Sequence, residues 1–188
     1  MQEVEQEIAA GVIFEGKYRV ERLLGRGGMG QVYEATHLLL DKRVAVKVLL
    51  PEYAANEEMV GRATREARAA SAVGHPNIAA VTDMGWTGDR PFIVMELLEG
   101  ETLDARLRRT GSIPFARATR WMIQLLDGLE AVHAKGVVHR DLKPGNVMLV
   151  TGRGGETVVK ILDFGIAKAL DDEGSISGQS RTKTGRIM

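Results

Sequence analysis

Apolar positions recur with period two over residues 43–50, which puts Val44, Val46 and Val48 on one face and Ala45, Lys47 and Leu49 on the other. That spacing predicts a β-strand. Residues 17–24 read as an earlier strand, and residues 31–35 alternate again on the far side of a glycine cluster. Residues 78–86 and 91–98 add two more, joined by the turn-forming run Thr87-Gly88-Asp89-Arg90. Residues 56–73 hold good helix formers behind Asn56, a residue suited to cap a helix start. The amino-terminal half is therefore expected to be a small antiparallel sheet with one helix, after a polar or helical lead-in over residues 1–16.

Beyond Glu99-Gly100-Glu101, which reads as a crossover, the period becomes helical. Leu103 and Leu107 mark a short helix that breaks at Thr110-Gly111. A longer one starts near Ser112 and Pro114 and ends near Gly136. Phe115, Ala118, Met122, Leu125, Leu129 and Val132 recur along it at offsets of three and four, an apolar stripe expected to be core. Residues 147–150 and 158–162 read as short strands around a glycine-rich turn at 151–157.

The composition supports a folded chain, with 44% hydrophobic and 27% charged residues over 188 positions, enough for one core or two small lobes. Twenty-five basic residues balance twenty-five acidic ones, so nucleic acid and anionic membrane are not the expected partners. The lack of cysteine excludes a disulfide framework and a thiolate metal site and fits a reducing compartment, for which cytoplasm is the simplest reading. Glu3, Glu5 and Glu7 stand where a secretion signal would need a basic start, and no run of eighteen apolar residues predicts a membrane span.

Candidate chemistry lies in four places. Gly25-Arg26-Gly27-Gly28-Met29-Gly30-Gln31-Val32 has the form G-x-G-x-x-G-x-V, which serves either as a plain turn or as a cradle whose N–H groups approach phosphate oxygens. No long helical pattern opens at Gly30, so a hairpin over phosphates fits better than a dinucleotide-binding turn. Lys47 is a lone charge on an apolar strand. The run His139-Arg140-Asp141-Leu142-Lys143-Pro144-Gly145-Asn146 sets a carboxylate, an ammonium and a carboxamide in one short loop. Asp163-Phe164-Gly165 begins seventeen residues after Asn146, and the oxygens of Asn146 and Asp163 suit a hard cation such as Mg²⁺.

In order, the glycine loop, Val44-Ala45-Val46-Lys47, a helix glutamate, the loop H-R-D-L-x-x-x-N and D-F-G resemble the signatures of protein kinases. The wording Gly-Gly-Met-Gly-Gln-Val-Tyr-Glu-Ala and Asp-Phe-Gly-Ile-Ala-Lys most resembles bacterial eukaryotic-type Ser/Thr kinases, from about Tyr18 to Ile187. The resemblance implies an α+β, bilobal fold: a lead-in at 1–16, a nucleotide-binding lobe at 17–98, and an incomplete, mainly helical lobe at 99–188. It implies ATP and Mg²⁺ as cofactors and a protein hydroxyl as acceptor. Asp141 would handle the hydroxyl proton, Lys143 would steady the transferring phosphate, and Asn146 and Asp163 would hold the metal. Lys47 would anchor the α and β phosphates, itself fixed by Glu66; Glu57 and Glu58 sit in the first helical turn, where the macrodipole accounts for them.

The same resemblance implies that Leu24, Gly25, Gly27, Gly28, Gly30, Val32, Ala45 and Met148 bind the nucleotide. Met95 would guard the back of the adenine pocket, with Glu96 to Leu98 as the hinge. His139 would be structural. Arg140 would capture a phosphate on the later loop, at Thr182 or Thr184. The family's A-P-E element does not follow, so the chain is expected to be a piece of a longer protein or a weak catalyst with exposed apolar surface and a tendency to self-associate. Three readings stand at this point: a Ser/Thr protein kinase domain, a pseudokinase-like nucleotide-binding or interaction module, and a small-molecule phosphotransferase.

Overall fold

The alternating stretches at the start of the chain pair into one antiparallel sheet of six strands. These are β1 (Ile13–Phe14), β2 (Tyr18–Gly27), β3 (Gly30–His37), β4 (Lys42–Leu49), β5 (Val81–Thr87) and β6 (Arg90–Glu96), in the spatial order β1-β2-β3-β4-β6-β5. The structure is a computed structural model that describes residues 7–152 and 154–162, apart from the side chains of Arg62, Glu66 and Ala69. One face of the sheet buries Phe14, Tyr18, Val20, Tyr33, Val44, Val46, Val48, Phe92 and Val94. The other is covered by α2 (Glu57–Ser71), whose Ala63 and Ala67 pack on Leu49 and Ile93. Small residues on that helix face let it approach the sheet closely. Asn56 caps it as expected, its Oδ1 accepting from the amides of Glu58 and Met59 at 3.0 and 3.2 Å.

A short helix, α1 (Pro51–Ala54), precedes α2 and was not foreseen; Pro51 stands at its first turn, where a missing N–H costs nothing. The described part of the lead-in also differs from expectation. After a turn at Gly11, residues 12–14 run beside β2, with the Gly11 amide donating to the Val20 carbonyl and the Val20 amide to the Val12 carbonyl, both at 2.8 Å.

The glycine cluster is the tip of the β2–β3 hairpin, with Gly25 opposite Val32, Arg26 opposite Gln31 and Gly27 opposite Gly30. Its glycines do different jobs. A Cβ on Gly25 or Gly28 would meet nothing within 4 Å, whereas one on Gly30 would lie 2.6 Å from the Val48 carbonyl oxygen. Gly30 is thus required by the close approach of β4. Gly30→Ala should cost about 1–3 kcal/mol, because the obstructing atom is backbone and cannot rotate away. Urea denaturation measures this, and a midpoint equal to that of the parent would contradict the contact.

The lower part comprises α3 (Leu103–Thr110), α4 (Phe115–His133) and a three-stranded antiparallel sheet of β7 (Gly100–Thr102), β8 (Val147–Thr151) and β9 (Thr157–Ile161), in the order β7-β8-β9. The expected crossover at 99–101 therefore enters a strand. Thr102 caps α3 by accepting from the Ala105 amide at 3.0 Å, and Gly111 ends it at φ +71°. On α4 the buried side keeps Leu125, Leu129 and Val132 of the expected stripe but departs from it at Phe115 and Met122. Trp121, Gly128 and Val132 are inside and Leu125 packs beside them, while Phe115 is 86% exposed and Met122 53%. The two parts meet through Ala70 and Ile78 from above and Val132 and Ile161 from below. The result is the expected bilobal α+β fold.

Candidate active site

Val137 and Val138 lead into a loop whose side chains converge. The Asp141 carboxylate accepts from Lys143 Nζ at 2.6 Å and from Asn146 Nδ2 at 3.2 Å, and the same Nδ2 donates to the Asp141 carbonyl at 2.9 Å. Asn146 ends a single 3-10 turn, Pro144–Asn146, closed by its amide on the Lys143 carbonyl at 2.8 Å. With Nδ2 committed to Asp141, the carboxamide oxygen is the donor left for a cation. Arg140 takes φ +56°, a left-handed conformation that costs a side-chain-bearing residue roughly 1–2 kcal/mol. The adjoining bonds hold it there: the Asp141 amide donates to the His139 carbonyl at 2.7 Å, and His139, 2% exposed, bonds the Leu162 carbonyl through Nε2 at 2.8 Å. The Leu162 amide donates to the Asn146 carbonyl at 2.8 Å. His139 is structural, and the loop is tied on both sides to the residue preceding Asp163.

Lys47, 7% exposed, lies opposite Val32 on β3 and Ile93 on β6; Ala45 lies opposite Glu34 and Met95. Directly opposed residues share a face, so Val32, Ala45, Lys47 and Met95 all project to the side of the sheet that α2 covers. Met95 packs against the cluster of Leu49, Ala63, Ala67 and Ile93, as a residue at the back of a pocket would. Leu24 is exposed on β2, and Leu98 is half-buried just beyond β6. Glu66 lies mid-helix on α2, three residues after buried Ala63 and four before buried Ala70; its side chain lies outside what is described. Met148 faces Thr102 and Lys160 across the lower sheet.

At the hinge, the Glu96 amide donates to the Ala80 carbonyl at 2.9 Å, so it is not a donor for a base. The Glu96 side chain ties the two parts together, accepting from the Ala80 amide at 2.8 Å and from Lys160 Nζ at 2.5 Å. Sequence reasoning did not single out Lys160. It also passed over a carboxamide pair. Gln124 on α4 donates to the Thr157 carbonyl at 3.1 Å and accepts from the Val159 amide at 2.9 Å, while Asn77 donates to the Val159 carbonyl at 2.8 Å. The signal was a glutamine in an apolar helix.

Glu34 was also missed. Its buried carboxylate accepts from Arg43 Nε and pairs with Arg22 Nη2, each at 2.6 Å, and Arg43 Nη1 reaches Glu99 at 3.3 Å. The bond from Arg43, aided by the charge of Arg22, outweighs burial and holds Glu34 below the usual carboxylate range. A lowered folded-state value stabilises above the unfolded carboxylate's range and is lost as pH falls through the folded value. Glu34→Gln should therefore cost about 1–3 kcal/mol at pH 7, with the gap from the parent narrowing below about pH 4. Denaturation at the two pH values checks it, and a constant gap would refute the ionic origin.

Asp163, Thr182 and Thr184 lie outside the described residues.

The structure thus presents a buried lysine on β4 and a separate Asp-Lys-Asn loop bonded to Leu162, just past β9. The family model for the protein kinase domain matches residues 18–185, and the chain belongs to that family. It is 43% identical over 184 residues to the serine/threonine-protein kinase PknA of Mycobacterium tuberculosis, covering 95% of this chain and 40% of PknA. It is 46% identical over 158 residues to the serine/threonine-protein kinase Pkn1 of Myxococcus xanthus, covering 83% of this chain and 22% of Pkn1. Among solved structures, the kinase domain of M. tuberculosis PknI superposes with a TM-score of 0.74 at 32% identity, covering 87% of this chain and 64% of that domain. The chain thus spans less than half the length of these curated relatives. Among the described residues no helix is long and apolar enough to cross a membrane.

Proposed function

We propose that this chain carries the nucleotide-binding and catalytic parts of a Ser/Thr protein kinase that moves the γ-phosphoryl group of ATP to protein hydroxyls in the cytoplasm. The observation that carries the proposal is the Asp141 carboxylate held between Lys143 and Asn146, in a loop bonded through Leu162 to the approach of Asp163. Asp141 orients the acceptor hydroxyl and takes its proton. Lys143, bonded to Asp141, offers a mobile charge to the group in transit. The residues present fit Mg²⁺ and ATP. The Asn146 carboxamide, its Nδ2 bonded to Asp141, presents an oxygen, and Asp163 would supply a second hard oxygen donor. Mg·ATP supplies the phosphoryl group and the positive charge that offsets its oxygens.

Lys47 contributes a buried charge for the α and β phosphates, and Glu66 is its proposed partner. The hairpin glycines at 25, 27, 28 and 30 lie over the phosphates. Leu24, Val32, Ala45, Met95, Leu98 and Met148 enclose the base, with Glu96 holding the hinge. Arg140, exposed beside Asp141, receives a phosphate carried by Thr182 or Thr184. Incubation with γ-labelled ATP and Mg²⁺, with a generic protein acceptor, tests both ideas when done on this chain and on one extended over the remaining length of the solved relatives. Label on Ser or Thr of the acceptor supports the kinase reading, and label at Thr182 or Thr184 supports the regulatory one. Nucleotide binding without transfer by either chain would favour a pseudokinase.

Phe115, Met122, Ile123 and Leu126 form an exposed apolar stripe on α4, and we place self-association there. Met122→Lys with Leu126→Lys should abolish any concentration-dependent increase in light-scattering mass. An increase that survives both changes would put the contact elsewhere.

A further inference from the structure

The family match begins at residue 18, yet the residues before it are tied to the glycine hairpin proposed to lie over the phosphates. Two neighbouring lead-in residues reach the same rung of that hairpin by separate routes. Glu7 Oε2 meets Arg26 Nη2 at 3.0 Å. The Ile8 amide donates to the Tyr33 hydroxyl at 3.0 Å, and that hydroxyl in turn donates to Gln31 Oε1. Arg26 and Gln31 are directly opposite each other, one rung below the tip formed by Gly27 and Gly30. Both Tyr33 and Gln31 are buried, and the Ile8 side chain packs against the main sheet core. The chain then continues along β2 through the bonds between Gly11, Val12 and Val20 and into β1, where Phe14 is fully buried.

We propose that residues 7–14 are a strap that sets the pose of the phosphate hairpin, with Glu7 and Ile8 as positioning residues acting through Arg26 and through Tyr33 and Gln31. The proposal rests on the nucleotide reading of the hairpin and adds a control element to it. Met29 and Gly30 rest on β4, but Gly25 and Gly28 have open space around them, so the β2 side of the tip has little packing of its own to hold it. A loop that must be ordered when ligand binds loses affinity by that ordering cost, and a strap fastened at the rung beneath the tip removes part of the cost in advance. Its two anchors, Glu7 and Ile8, meet the hairpin beside the tip, while the rest of the strap lies against the start of β2 and in the sheet core, away from the tip. Fastening it therefore favours the phosphates of a nucleotide and leaves the base and ribose untouched. Anything that draws residues 7–14 away from β2 would loosen the grip on ATP without altering a residue of the pocket.

The full chain tests this through Glu7→Lys, which sets a positive charge against Arg26. Affinity for Mg·ATP should fall about threefold to fivefold, the range open to a solvent-exposed ion pair, while affinity for adenosine stays unchanged. Amide hydrogen exchange over residues 26–31, measured without nucleotide, should quicken in Glu7→Lys. It should return to the parent rate when Arg26→Glu is added, since the pair is then restored with its signs reversed. Tyr33→Phe, which removes the hydroxyl linking Ile8 to Gln31, should quicken the same amides. Equal losses for ATP and adenosine would indicate general destabilisation and overturn the proposal, as would unchanged exchange in both variants. Should the parent chain fail to bind Mg·ATP, the nucleotide reading falls, and the exchange measurements still decide whether the strap exists.

Discussion

Asp141→Asn should lower phosphoryl transfer about a hundredfold to ten-thousandfold while leaving both affinity for Mg·ATP and thermal stability unchanged. Asparagine keeps the size and an acceptor oxygen for Lys143, and the bond from Asn146 Nδ2 to the backbone carbonyl of residue 141 at 2.9 Å does not involve the side chain being changed. The loop therefore retains its shape. What is lost is the charge that attracts the hydroxyl proton. Single-turnover transfer and equilibrium nucleotide binding, measured side by side, separate the two quantities. Transfer close to the parent rate would remove Asp141 from the chemistry, and a matching fall in affinity would make it a binding residue.

Lys47→Met should weaken Mg·ATP by about tenfold to a hundredfold, the worth of a hydrogen bond to a charged group in a site largely closed to water. Methionine preserves the apolar stem that fills the space between Val32 and Ile93, so the comparison isolates the charge. Lys47 belongs to a strand buried on both faces, and placing an ammonium there costs desolvation unless a negative group compensates. Titration with a fluorescent ATP analogue measures the effect, and calorimetric melting shows whether the fold survives. An affinity equal to the parent's would detach Lys47 from the phosphates.

Much of this architecture was legible in the sequence because the elements that build it carry strong local signals. The alternation at 43–50 fixes both the strand and the side to which Lys47 points. The glycines at 25, 27 and 30 announce a hairpin because no helical period follows them. The loop from His139 to Asn146 is short enough for its side chains to meet whatever surrounds it. The apolar side of α4 was less legible. Offsets of three and four select Phe115 and Met122 as readily as Trp121 and Val132. The deciding residues, Gln124 and Gly128, are not apolar at all. Gly128 faces the lower core because a Cβ there would come within 3.1 Å of Ile161 and 3.2 Å of Asn77. Glu34 and Lys160 were hidden for a related reason. Their partners, Arg22, Arg43 and Glu96, are brought to them by strand register or by the meeting of the two lobes, neither of which is local in sequence. The strap at 7–14 has the weakest signal, since its strand is two residues long and its anchors are single contacts.

The bonds around β9 have a mechanical meaning. Val159, Lys160 and Ile161 are consecutive, and through them the strand is joined to Asn77, Glu96 and Ala79 of the upper lobe and to Gln124 of the lower one. A short strand gripped from both sides behaves as an axle. Were one lobe to turn against the other about it, points near the axle would scarcely move and distant points would sweep through arcs. Leu162 directly follows the axle, and its amide donates to the Asn146 carbonyl at 2.8 Å. Such a turn would shift the upper sheet over the lower lobe while leaving the bonds among Asp141, Lys143 and Asn146 as they are.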